Sequence, residues 1–278
     1  MNFSAVMHPV QDLPPGFVWM RSGRWHIAVS EDAAEGFAGG NYSDPVRLAA
    51  GGDPCFRGRG HPVRVFLSNG SPAVLRRYEH GGVFAPLLGG RFFGRPRPLR
   101  ELAASEEARR AGVRVPEVVA AYVRPLKPYG HKGFLLTREV GRARDLVEAF
   151  RSGEPPGPVL HRLGEEVRRL HQAGVWHADL HVKNVLLAKG AVTLIDFDRA
   201  RVMSPVPERM RIRNLLRFDR SVVKLANQGV AVALKDRLRF YKGYFGRRLP
   251  RAERAALIAS CRRSIGRHQW WWRVTRGW

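Results

Sequence analysis

One stretch of this chain gathers side chains suited to moving a phosphoryl group. It reads His177-Ala178-Asp179-Leu180-His181-Val182-Lys183-Asn184, and Ile195-Asp196-Phe197-Asp198 follows it. Phosphoryl transfer from ATP needs metal to neutralise the phosphates and an acceptor held in line. It also needs a carboxylate near the attacking hydroxyl, and Asp179 can supply one. Asn184, at the far end of the same loop, can offer an amide oxygen to Mg²⁺. Asp196 can offer a carboxylate to the same metal, and oxygen ligands of this kind suit Mg²⁺. Asp and Asn are also common as turn and cap residues. Asp196 at the expected place favours the chemical reading over that one. Lys183 either steadies the transferring phosphate or faces solvent. His177 is expected to orient the loop by packing and hydrogen bonding, and His171 to cap or pack at a helix end.

The elements around these residues must bring them together. Residues 184–187 and 192–195 are short apolar runs separated by Lys189-Gly190, which predicts a hairpin carrying Asn184 and Asp196 at its open end. Leu160, Leu163, Val167 and Leu170 recur at helical spacing, and Gly174 ends that helix. From Pro207 to about Arg267 the pattern is mostly helical. Earlier in the chain, residues 1 to about 50 read as irregular. Gly58 and Gly60 mark a turn, and Val63, Val65 and Leu67 alternate before Asn69-Gly70, a strong hairpin signal. Ala73-Val74-Leu75 starts the return strand, which runs into Arg76 and Arg77. Pro96 and Pro98 open a helix that runs to about Arg110 and stops at Gly112. Residues 118–123 and 134–140 read as two further strands. A strand-rich N-terminal part with one helix thus precedes a helix-rich C-terminal part with one hairpin. The expected fold class is α+β, with domains at 1–140 and 141–278 and a ligand cleft between two lobes.

The chain has 278 residues, of which 44% are hydrophobic, enough for a proper core. Its net charge is +24, and arginine accounts for 41 of the 48 basic residues. That excess suits an anionic partner: nucleic acid, an acidic membrane surface or a phosphorylated substrate. An arginine-rich proteome would give the same composition. The two cysteines, Cys55 and Cys261, form no metal-ligand spacing or disulfide framework. The N-terminus lacks a signal-peptide pattern, and no stretch approaches the ~20 apolar residues of a spanning helix. Four of the seven tryptophans fall in the last nine residues, among Arg267, Arg273 and Arg276. They suit either a membrane-surface anchor or a packed tail. The absence of zinc spacing and RNP-like aromatics argues against a nucleic-acid-binding protein.

The pattern H-x-D-L-x-x-x-N, then a hairpin, then Ile195-Asp196-Phe197-Asp198, resembles the catalytic and metal-binding loops of the protein-kinase-like superfamily. With Arg57-Gly58-Arg59-Gly60, Val74-Leu75-Arg76-Arg77-Tyr78 and Gly81-Gly82, the chain resembles the 3-deoxy-D-manno-octulosonic acid (Kdo) kinases from about residue 55 to 245. The resemblance implies a bilobal fold, with a small antiparallel-sheet N-lobe and a mostly helical C-lobe. It implies ATP and Mg²⁺ as cofactors and the Kdo sugar of a lipid A precursor as acceptor, at its 4-hydroxyl. It further implies an anionic membrane surface as partner, at the cytoplasmic face of the inner membrane, and no nucleic acid. Asp179 becomes the catalytic base, and Asn184 and Asp196 the metal ligands. Gly58 and Gly60 lie in the nucleotide-covering loop. Glu101 pairs with the phosphate-binding cation, which is Arg76 or Arg77. Glu139 and Val140 form the strap that bonds adenine. Ala178 replaces the arginine that reads a phosphorylated activation loop in many protein kinases. Asp198 replaces the glycine of D-F-G. Both changes fit a constitutively active small-molecule kinase. A heptose kinase of the core, a small protein kinase and a pseudokinase scaffold are the alternatives.

Overall fold

The computed structural model describes residues 12–40, 42–55, 61–79, 91–126, 130–247, 250, 259, 260 and 263. Two compact units account for the chain. The first holds Met1–Glu106 and Pro116–Glu139; the second holds Glu107–Val115 and Val140–Trp278. Among the described residues, no helix is long and apolar enough to cross a membrane.

The first unit is built on an antiparallel sheet. Its strands are β1 (Phe17–Ser22), β2 (Trp25–Ser30), β3 (Asp53–Pro54), β4 (Val63–Phe66), β5 (Pro72–Arg77), β6 (Val118–Pro125) and β7 (His131–Arg138). They lie in the order β1-β2-β6-β7-β5-β4-β3. The β4–β5 turn forms where Asn69-Gly70 predicts it. Gly70 has φ +75°, and the Ser71 N–H donates to Asn69 Oδ1 at 3.0 Å. The register pairs Val63 with Leu75 and Val65 with Ala73, so four apolar side chains share one face. That face packs with Trp25, Ile27, Tyr122 and Phe134. The other face is covered by helix α3 (Arg97–Arg110), whose Leu99 and Leu102 meet Tyr78, Phe92 and Leu135.

Residues 1 to about 50 are not irregular where they are described. They form the β1–β2 hairpin and two short helices, α1 (Ala34–Ala38) and α2 (Pro45–Gly51), so the first unit has more than one helix. Almost every residue of β2 is buried, so period-2 alternation is absent there. The start of α2 carries a legible signal: Asp44 accepts from the Val46 N–H, and Pro45 occupies the first turn.

The second unit is mostly helical. It contains α4 (Leu146–Arg151), α5 (Pro156–Gln172), α6 (Glu208–Val223) and α7 (Leu234–Phe245). Two small sheets join them: β8 (Arg144–Asp145) with β10 (Val185–Ala188) and β11 (Ala191–Leu194), and β9 (Val175–Trp176) with β12 (Arg201–Val202). Leu160, Leu163, Val167 and Leu170 of α5 are completely buried, as their spacing predicts. Helices α5 and α7 meet backbone to backbone at two glycines. A Cβ on Gly164 would lie 2.0 Å from the Phe240 carbonyl oxygen, and one on Gly243 would lie 2.0 Å from that of His161. Only glycine permits this approach.

Candidate active site

The hairpin β10–β11 delivers the residues that the sequence singled out. Val185 pairs with Leu194, which sets Asn184 opposite Ile195 at the open end. The Ile195 N–H donates to the Asn184 carbonyl at 3.1 Å. Asp196 follows at φ +66°, a left-handed conformation that is uncommon for a residue with a side chain. Such backbone strain is typically held at functional sites. The Asn184 Nδ2 group donates to the Asp179 carbonyl at 2.9 Å. Its amide nitrogen is thereby committed, which leaves Oδ1 to serve as an acceptor. Asp179, Asn184 and the strand end bearing Asp196 are therefore tied together by backbone and amide hydrogen bonds. Lys183 sits in the short 3-10 turn Val182–Asn184 with an exposed side chain.

A buried polar network fixes this loop from below. His177 is fully buried and bonds the Ile195 carbonyl through Nε2 at 3.0 Å. Its Nδ1 accepts the Asp179 N–H at 3.2 Å. The Asn214 Nδ2 group donates to the His177 carbonyl at 2.6 Å, and Asn214 Oδ1 lies 3.0 Å from His171 Nε2. His171 Nδ1 lies 2.9 Å from the Tyr244 hydroxyl. One assignment of protons satisfies every member. Both imidazoles are neutral with the proton on Nε2, and Tyr244 donates to His171. Burial enforces that assignment, pulling His177 below its ordinary range and His171 down to about 4. The expectation that His177 orients the loop matches this geometry. The contribution of Asn214 was not visible in the sequence, because a lone Asn in a helix carries no pattern.

Asp179 itself is partly exposed. The His181 imidazole, with Nε2 3.5 Å from Oδ2, and the Arg217 guanidinium on Oδ1 hold its carboxyl down at about 2, against the upward push of partial burial. Asp179 is thus ionised throughout the physiological range. Arg217 also escaped the sequence reading: α6 has many arginines, and periodicity alone does not say which one reaches the loop.

In the first unit, Arg76 is the cation that meets Glu101. Its Nη2 donates to both carboxylate oxygens, at 2.7 and 2.6 Å. Glu101 is only 3% exposed and also receives the Tyr78 hydroxyl, so it is not a solvated helix residue. Arg77 instead lies 3.8 Å from Glu79. Glu139 forms a two-pronged pair with Arg64 of β4, both contacts at 2.6 Å, and its N–H donates to the Pro72 carbonyl. The chain passes from the first unit to the second between Glu139 and Val140. Gly58, Gly60, Gly81, Gly82 and the tryptophan-rich C-terminus lie outside the described residues.

This fold is protein-kinase-like and α+β. A solved structure, "WaaP in complex with acyl carrier protein", superposes with a TM-score of 0.60 at 22% identity, covering 89% of this chain and 99% of that one. The family model for the lipopolysaccharide kinase (Kdo/WaaP) family matches residues 63–244, and the chain belongs to that family. It is similar to the 3-deoxy-D-manno-octulosonic acid kinase of Vibrio cholerae serotype O1, 33% identical over 60% of this chain and 72% of that protein. The kinase of that name from Xanthomonas axonopodis pv. citri is 34% identical over 62% and 70%. For the Vibrio vulnificus (strain YJ016) kinase, 32% identical, the aligned part is 46% of this chain and 56% of the relative. Membership makes this chain a phosphotransferase with an alcohol group as acceptor.

Proposed function

We propose that this protein transfers the γ-phosphoryl group of ATP to a hydroxyl of a Kdo sugar on a lipid A precursor, at the 4-position. The work takes place at the cytoplasmic face of the inner membrane. The observation that carries the reading is the tie between Asp179, Asn184 and the Asp196 strand end, on a chain of this family.

Asp179 accepts a hydrogen bond from the acceptor hydroxyl and aligns its oxygen with phosphorus. With His181 beside it, the carboxylate stays below its ordinary range and is a weak base. Its main contribution is therefore alignment, and it takes the proton late, as the oxygen–phosphorus bond forms. The donor set fits Mg²⁺: Asn184 Oδ1 and the Asp196 carboxylate are hard oxygen ligands. Among the described residues, no group of three or more His, Cys, Asp or Glu makes a protein-only cage. Two protein ligands suit a cation that arrives with nucleotide phosphates. When bound, Mg²⁺ would neutralise phosphate charge. Lys183, exposed on the same loop, steadies the transferring phosphate. In the first unit, Arg76, held by Glu101, takes the place of the phosphate-binding cation, and its planar fork can bond two phosphate oxygens. The backbone of Glu139 and Val140 receives adenine. The arginine excess brings the protein to an anionic membrane surface.

The test is incubation with ATP, Mg²⁺ and Kdo-bearing lipid A precursor, with product read by mass spectrometry and fragmentation. A single added phosphate on Kdo is expected. Asp179→Asn should form it far more slowly, with kcat lower by about 10²–10⁴ and the ATP KM little changed. Phosphate on heptose, on protein or on nothing offered refutes the assignment.

A further inference from the structure

Helix α6 carries a cationic stripe to which the proposed function assigns no role. Arg213, Arg217, Arg220 and Lys224 recur at spacings of four, three and four residues, which places them on one side of the helix. The opposite side, with Asn214, Leu215, Phe218, Asp219 and Val222, is buried. Arg213, Arg217 and Lys224 are exposed and Arg220 is half-buried. These charges crowd one another. Partial burial, then Arg220 and Arg217, pull the Lys224 ammonium below its ordinary value.

The stripe has a direction. Its Arg217 reaches Asp179 and donates Nη2–H to Oδ1, with His181 on the other carboxylate oxygen. Asp179 is where the acceptor hydroxyl must arrive, so Arg217 stands beside the acceptor. The acceptor named for the relatives is an octulosonic acid, a sugar with its own carboxylate. A guanidinium matches a carboxylate in two parallel hydrogen bonds, which a lysine ammonium cannot make. An arginine resting on one carboxylate can transfer to another at little loss of electrostatic energy.

We infer that Arg217 reads the carboxylate of the acceptor sugar, leaving Asp179 for it when the acceptor binds, while Arg213, Arg220 and Lys224 draw the anionic acceptor along α6. The inference rests on the proposed function and assigns its specificity residue. Two consequences follow from the geometry. An acid sugar frees Asp179 to meet the hydroxyl, and a neutral sugar leaves Arg217 in place.

The test compares the Kdo-lipid acceptor with its carboxyl methyl ester, in the full-length protein and in Arg217→Gln and Arg217→Lys. The readout is the ratio of kcat/KM for acid over ester, which cancels any effect of a variant on Asp179 or on folding. The unchanged protein should prefer the acid by about 10- to 100-fold, the worth of a hydrogen-bonded charge pair. Arg217→Gln should bring the ratio close to one, and Arg217→Lys should keep part of it. A ratio that persists in Arg217→Gln overturns the inference. So does an unchanged protein that uses acid and ester equally well, which would leave the proposed function standing. If it phosphorylates neither, the function fails first and the inference with it.

Discussion

Replacing Asn214 by alanine tests whether the network below the loop holds Asp179 in place. Asn214 is completely buried, and its amide joins two groups that cannot reach water: the His177 carbonyl and the His171 Nε2–H. Truncation leaves both without a partner. Each orphaned group costs about 1–3 kcal/mol, so the variant should lose about 2–6 kcal/mol of stability. The lower end applies if a water enters the space left by the amide. For a chain of this size, at about 2–4 °C per kcal/mol, the melting temperature should fall by roughly 4–24 °C. The effect should reach chemistry as well. The His177 carbonyl belongs to the residue two before Asp179, and an ångström-scale shift of a catalytic group costs on the order of 100-fold in rate. Circular dichroism melts and initial rates with saturating Kdo-lipid, taken well below the melting point, check both parts. We expect kcat to fall by about 10- to 100-fold with the ATP KM within about threefold. Asn214→Asp should behave similarly, because it keeps the shape but turns an acceptor toward the His177 carbonyl. A stability loss below about 1 kcal/mol with unchanged kcat in either variant would refute the positioning argument.

Other perturbations probe separate parts. Glu101→Gln removes the carboxylate beneath Arg76 and Tyr78; kcat/KM for ATP should fall by about 10- to 100-fold, a hydrogen-bonded charge being worth about 1.5–3 kcal/mol. Arg76→Lys should fall less than Arg76→Ala in the same ATP titration, because it keeps the charge and loses only the fork. Asp196→Gly relieves the left-handed backbone at φ +66°, so it should melt at or above the unchanged protein, gaining up to about 1 kcal/mol, while Mg²⁺-dependent turnover disappears. Acid should destabilise the fold early. His131 and His171 are held at about 4 by burial, below the ordinary 6.5, and His177 shifts the same way. The unfolded chain therefore binds more protons than the folded one between pH 6.5 and 4, so stability is full above 6.5 and drains as pH falls through that window. Urea melts from pH 7.5 to 4.5 should show it, and His171→Gln should flatten the slope by up to about 1.4 kcal/mol per pH unit.

The parts of this protein legible in its sequence are those where local pattern and tertiary demand agree. The Asn69-Gly70 turn, the α5 stripe and the β10–β11 hairpin each carry a signal that nothing else in the fold contradicts. The loop from His177 to Asn184 was legible because its residue types are chemical rather than architectural. Residues 25–30 carry no strand alternation because β2 is buried on both faces. The choice between Arg76 and Arg77 could not be made from two adjacent arginines; it depended on which side of β5 faces α3. Asn214 and Arg217 are common residue types on an arginine-rich helix, and only packing of α6 against the loop sets them apart.

The paired glycines of α5 and α7 make the chemistry sensitive to a place far from it in sequence. Their intimate crossing is what lets the Tyr244 hydroxyl sit on His171, the outermost member of the relay that ends at Asp179. A single methyl group at position 164 or 243 would wedge the two rods apart and slacken the whole string at its anchor. Genetic drift at those two sites could therefore silence the enzyme while every residue that handles phosphate stayed intact.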